Sequence, residues 1–336
     1  MTLTSSHRRL AMLDVMRFFA AIGVIFIHVS FVARPSPDMG EFLRFLMRWA
    51  VPFFYLLTGY FLRSESRLPV VTTDRLSKLV VILIAANVIY IPILIVFDGI
   101  AAMDMKIILS GTWFHLWFLS SLVVGMLTFL LIPKLEIPRK YITAASMVFI
   151  LLAHGLDIVS SFDAKYIPIA RFCRFLMAGP LMWVGFLLVD WRCWRPNSSG
   201  ALVLLAGGVL VCFAETLFYS KIQMSIFDRQ YSLGSLAIAV GAILWASETQ
   251  RQAWDPLVKI GRDCSLMIYI IHPIFLKVTA ILVGLLGVTA SLPYWQVLIG
   301  GAFSICAAFL IDRYLPVVAN LVRGEMPTFR KDLHAR

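Results

Sequence analysis

The stretch Leu13-Asp14-Val15-Met16-Arg17-Phe18-Phe19-Ala20-Ala21-Ile22-Gly23-Val24-Ile25-Phe26-Ile27-His28 governs how the whole chain is read, because three ionisable side chains interrupt an otherwise apolar helix. An α-helix turns about 100° and rises about 1.5 Å per residue, so Arg17 and His28 fall within about 20° of one face and about 16 Å apart along the axis. Asp14, three residues before Arg17, is placed to pair with it. An arginine at the centre of a membrane span costs about 2.5 to 3.5 kcal/mol. Its presence therefore points to a polar site inside a helix bundle.

Working outward, composition fixes the class. Hydrophobic residues make up 60% of the 336 and charged residues only 15%, with mean hydropathy +0.86, far from the balance of a soluble domain. The expected fold is all-α, a polytopic membrane bundle forming a single embedded domain over 1–336 with no fused soluble domain. Ten apolar stretches approach the roughly 20 residues that cross a ~30 Å hydrocarbon core; they lie near 12–33, 42–62, 77–97, 112–132, 141–159, 172–190, 201–219, 231–248, 263–286 and 293–313. The net charge of +11 comes from basic residues in short loops rather than on one surface, which argues against a nucleic-acid partner. Five scattered cysteines show neither paired spacing nor a metal-ligand pattern, so no metal site is expected.

Lysine and arginine set the orientation. With the N-terminus inside, inner segments hold 19 of them and outer loops six, so the positive-inside rule predicts that both termini are cytoplasmic, with 34–41 and 160–171 facing outward. Arg17 then lies toward the cytoplasmic side and His28 toward the outer surface. His115 and Trp117 open the fourth span at a comparable depth, Tyr269 and His272 share a face of the ninth, and Glu215 sits in the outer part of the seventh. Arg75 and Lys78, one turn apart at the inner start of the third span, could hold an anionic group. Arg44 and Arg48, one turn apart in the outer half of the second span, either snorkel or line an acceptor site. Each position also has a structural use, in interhelical bonding, an aromatic belt or the charge bias itself.

With these residues in view the chain resembles the acyltransferase type 3 family of integral membrane acyltransferases. That family's first helix carries a basic residue, ten intervening positions and a histidine, which Arg17 and His28 fit, with Asp14 in its usual place. Val51-Pro52-Phe53-Phe54-Tyr55-Leu56-Leu57-Thr58-Gly59-Tyr60-Phe61, His115-Leu116-Trp117-Phe118-Leu119 and Ser265-Leu266-Met267-Ile268-Tyr269-Ile270-Ile271-His272-Pro273 match further family blocks. One departure is Lys78, where the family often has a second arginine; lysine keeps the charge but loses the bidentate fork.

The resemblance implies a membrane-bound O-acyltransferase, similar to short sugar O-acetyltransferases such as the one that modifies enterobacterial common antigen. It would sit in the plasma (inner) membrane and move an acetyl group from cytoplasmic acetyl-CoA, a co-substrate rather than a bound cofactor, to a hydroxyl of an envelope glycan or lipid-linked sugar. His28, Arg17 and Asp14 are then the expected catalytic set, with His28 the base, since imidazole titrates near working pH, and Arg17 electrostatic, since guanidinium stays protonated. Arg75 and Lys78 would bind the donor, and His115, Trp117, Tyr269, His272 and Glu215 would support the acceptor side. A secondary transporter or flippase of a polar or anionic substrate is the alternative. The first-span stripe has no counterpart in the sixth span, which weighs modestly against the repeats common in transporters.

Overall fold

Lipid offers a backbone no hydrogen-bond partner, so long apolar segments must satisfy their amides internally. In the computed structural model, which describes residues 4–29, 39–62, 71–99, 111–191, 198–221, 231–249, 254–287 and 292–325, they do so as helices, and no strand occurs among the described residues. In chain order these are α1 (Thr4–Ile27), α2 (Met39–Leu46), α3 (Ala50–Phe61), α4 (Thr73–Asp98), α5 (Trp117–Leu131), α6 (Arg139–Phe162), α7 (Ile167–Leu176), α8 (Ala178–Trp191), α9 (Ser198–Lys221), α10 (Leu233–Glu248), α11 (Asp255–Asp263), α12 (Ser265–Leu285), α13 (Leu292–Trp295), α14 (Gly301–Tyr314) and α15 (Pro316–Val322). Among the described residues, seven helical runs are long and apolar enough to cross a membrane: Thr73–Phe97, Trp117–Lys134, Arg139–Phe162, Ala164–Asp190, Ser199–Lys221, Ser265–Leu285 and Pro293–Tyr314. α1, the α2–α3 run and the shorter α10 occupy the remaining three predicted stretches.

Several boundaries differ from the sequence expectation. The second stretch is α2 and α3 joined by a 3₁₀ turn at Met47–Trp49, and the tenth carries a π-helical turn at Gln296–Gly300. The fourth does not begin as helix at 112. Residues 111–116 form an irregular strap, because Gly111 adopts φ +80° and Thr112 is drawn to α4, its amide donating to Asn87 Oδ1 at 2.7 Å and its hydroxyl to the Asn87 carbonyl at 3.1 Å. Non-helical backbone at membrane depth is tolerated where it is buried in protein or lines a cavity, and this strap does both. Two helices were not anticipated, α11 and α15. α11 opens with Asp255 and Pro256 in its first turn, a favourable helix start, but it is too polar and short to register as a span. Most of the expected outer loop 34–41 lies outside the described residues.

The bundle presents an apolar surface around a mostly apolar core in which a set of polar side chains is enclosed. Val203, Leu210, Leu151 and Leu152 are exposed, while Asp14, His115, His272, Ser121 and Asp157 are buried. Small residues let backbones close together: a Cβ built on Gly59 would lie 1.8 Å from the Met182 carbonyl oxygen, and one on Gly185 would lie 1.9 Å from that of Leu56, so α3 and α8 meet through reciprocal glycines. Gly261 of α11 is equally close to the Asp14 carbonyl oxygen of α1. α1 packs against α3, α10, α11 and α12. Arg174, inside the Ala164–Asp190 run, bonds Asp157 through Nε at 2.9 Å, offsetting the cost of a cation there.

Candidate active site

Two polar clusters lie along α1, one about its midpoint at Asp14 and Arg17 and one just past its C-terminal end at His28. His28 follows its last turn and lines a cavity of about 380 Å³ together with Arg44, Arg48, Phe54, His115, Trp117 and Tyr269. The long stretch between His28 and the ninth predicted span is closed by the fold: His272 Nε2 lies 2.9 Å from His28 Nδ1, and the rings stack with centroids 5.0 Å apart. His115 joins them, its ring 6.2 Å from His28, 5.3 Å from His272 and 5.2 Å from Tyr269. Tyr269 donates its hydroxyl to the His115 carbonyl at 2.5 Å, tying α12 to the strap. Both ring nitrogens of His115 are buried and lack a hydrogen bond of good geometry.

Carbonyl contacts determine the histidine tautomers, because a carbonyl only accepts. His272 Nδ1 is 2.7 Å from the Tyr269 carbonyl and so carries hydrogen, leaving Nε2 as an acceptor. His28 Nδ1 is 2.9 Å from the Val24 carbonyl and also carries hydrogen, which it shares between Val24 and His272 Nε2. His28 Nε2 therefore keeps its lone pair. The availability of the Tyr269 carbonyl follows from the sequence: Pro273 inside α12 has no N–H to give the residue four before it, which is Tyr269.

Arg44 and Arg48 settle on the cavity side of the two readings the sequence allowed. Both line it, with Arg44 Nε donating to the Ile27 carbonyl at 2.8 Å and Arg48 only 3% exposed. Their spacing of four, which puts both on one helix face, was the signal available in the sequence.

Asp14 and Arg17 lie near the middle of α1. Arg17 Nη1 donates to Asp14 Oδ1 at 2.8 Å, and its guanidinium lies 5.2 Å from the centre of the Phe61 ring. Arg75 reaches the same residue, Nη1 donating to the Phe61 carbonyl at 3.3 Å. The expected catalytic trio is thus one stripe in two places: eleven residues restore the helical face but leave the ~16 Å rise between Arg17 and His28, and neither Arg17 nor Asp14 lines the cavity. Lys78 is exposed beside Asp74 at 3.4 Å. Glu215 also stands apart from the cavity. Its carboxylate accepts from the amides of Leu233 and Gly234 at 3.1 and 3.4 Å, capping the positive end of α10, with His154 Nε2 at 3.9 Å.

The acyltransferase domain characteristic of the acyltransferase 3 family matches residues 10–313. An Enterococcus faecalis protein named amino-acid racemase is 25% identical over 295 residues, 79% of this chain and 41% of that protein. Another Enterococcus faecalis match of the same name is 31% identical over 154 residues, covering 43% of this chain and 21% of that protein. The chain spans about two fifths or less of the length of these curated relatives. No solved structure is significantly similar to it.

Proposed function

The chain belongs to the acyltransferase 3 family, and from that premise we propose that it is a plasma-membrane O-acyltransferase that moves an acetyl group from acetyl-CoA to a hydroxyl of an envelope glycan or lipid-linked sugar. The observation that carries this reading is the cavity at His28, where a histidine with a free Nε2 lone pair faces a space also lined by two arginines and Trp117. Acyl transfer needs a base for the acceptor proton and positive charge where the oxyanion develops. His28 supplies the first. Arg44 and Arg48 supply the second or hold an anionic group on the acceptor, and Trp117 gives a sugar ring an apolar wall.

The donor enters from the side of α1 on which Arg17 lies. Arg17, Arg75 and Lys78 form the basic group there, suited to the phosphates of coenzyme A, and Asp14 fixes the Arg17 guanidinium. An extended pantetheine arm is the part of such a donor that would span the distance along α1 to His28. The acceptor hydroxyl gives its proton to His28 Nε2 as its oxygen bonds to the thioester carbonyl carbon; the carbon–sulfur bond then breaks and the proton passes to the departing thiolate.

Label transfer tests the reading. Cells or proteoliposomes containing the protein should move radioactivity from acetyl-labelled acetyl-CoA to glycan, and those lacking it should not. Equal labelling in both, together with protein-dependent uptake of a polar solute, would replace acyl transfer with transport.

A further inference from the structure

The geometry points to His272 as a positioning residue for this reaction, acting on the acceptor only through His28. This rests on the acyl-transfer reading above and adds a defined role for the residue pair that the fold brings together. His272 is fully buried and does not line the cavity, so it has no route to the substrate. Its ring packs against those of His115 and Tyr269, and its side-chain hydrogen bond toward the site is the 2.9 Å bond from His28 Nδ1–H to its Nε2. Its own Nδ1–H is committed to the Tyr269 carbonyl, the group that Pro273 leaves without a helical donor.

Two consequences follow for His28. Alone, its ring would be held by a single local bond to Val24, one turn back on the same helix. The bond to His272, from a different helix, fixes the ring plane and reinforces the tautomer set by the Val24 carbonyl, in which Nε2 carries the lone pair. When the acceptor O–H bond breaks and its proton moves to His28 Nε2, the imidazolium formed has its Nδ1–H against a lone pair already in place. A charge-assisted hydrogen bond is about twice as strong as a neutral one, so the contact strengthens as the charge appears. This is the logic of a base oriented by a third group. Arg44 and Arg48 are the fixed charges on the cavity side of His28, with His115 and Tyr269 the other titratable groups there.

The test uses purified protein in proteoliposomes, with acetyl transfer measured against acceptor concentration. His272→Leu, which removes the acceptor nitrogen, should lower kcat about a hundredfold or more while leaving acceptor KM within about threefold. His272→Gln, whose amide oxygen can reach the same Nδ1–H, should recover at least tenfold of that loss. In a His28→Ala background, His272→Leu should have no further effect on the residual rate, because residues acting as a unit are not additive. Thermal stability of each variant in detergent separates folding loss from catalytic loss. An unchanged kcat in folded His272→Leu, failure of folded His272→Gln to recover activity, or an additional loss in the His28→Ala background would each overturn the assignment. Absence of transfer by the parent protein would instead overturn the acyltransferase reading itself, and this role with it.

Discussion

At the residue scale the chemistry turns on which nitrogen of His28 carries hydrogen. The Val24 carbonyl places it on Nδ1, which leaves the Nε2 lone pair for the proton transfer proposed above. His28→Ala should therefore slow glycan acylation by about 10² to 10⁴, or about 3 to 5 kcal/mol of barrier, with membrane insertion near normal; transfer within a few-fold of the parent would reject His28 as the base. Arg17 presents a different case. It lies beside Asp14 and Phe61, so Arg17→Lys, which keeps charge but loses the planar fork, should raise the donor KM more than it lowers kcat. Replacing Arg75 and Lys78 together with Gln should act in the same direction, as expected when binding shared by ground and transition states is lost. A donor dependence identical to the parent in the double variant would leave those two residues as topology signals only.

At the element scale, helices deliver these side chains by approaching more closely than larger residues would permit. A methyl on Gly185 would fall 1.9 Å from the Leu56 carbonyl oxygen, a backbone atom that cannot rotate away, whereas one on Gly207 meets nothing within 4 Å. Gly185→Ala should thus lower the thermal midpoint, by overpacking typically worth about 1 to 3 kcal/mol, and Gly207→Ala should leave it unchanged or raise it slightly, since alanine favours helix over glycine by about 1 kcal/mol. Equal midpoints for the two variants would contradict the α3–α8 contact. The strap at 111–116 shows why helical periodicity was an incomplete guide here. His115 was legible as part of an aromatic block, but the bonds from Thr112 to Asn87 join positions 25 residues apart and leave no periodic trace. Pro273 had a local meaning that only became chemical once His272 was seen to take the vacated carbonyl.

For the whole molecule, orientation decides which side of the membrane each of the two α1 clusters faces. The charge bias of 19 to six predicts that the turn at Glu136 is cytoplasmic and the turn at Lys165 external, both being exposed. In a chain whose five native cysteines are replaced, Lys165→Cys should react with an impermeant thiol reagent in intact cells and Glu136→Cys only after lysis; the reverse pattern would place the His28 cavity on the cytoplasmic side. Sequence alone determined the membrane class, because apolarity over about 20 residues is a local property that lipid rewards wherever it occurs. It also determined that Asp14, Arg17 and His28 share a face, since helical phase accumulates residue by residue. Only the tertiary structure decided that Arg17 and His28 serve separate clusters, that Arg44 and Arg48 turn toward the cavity, and that Glu215 caps a helix instead of joining them. It alone brought His272 to His28 across 244 residues, because that contact depends on how α1 and α12 cross in space, and neither helix's own sequence encodes the position of the other.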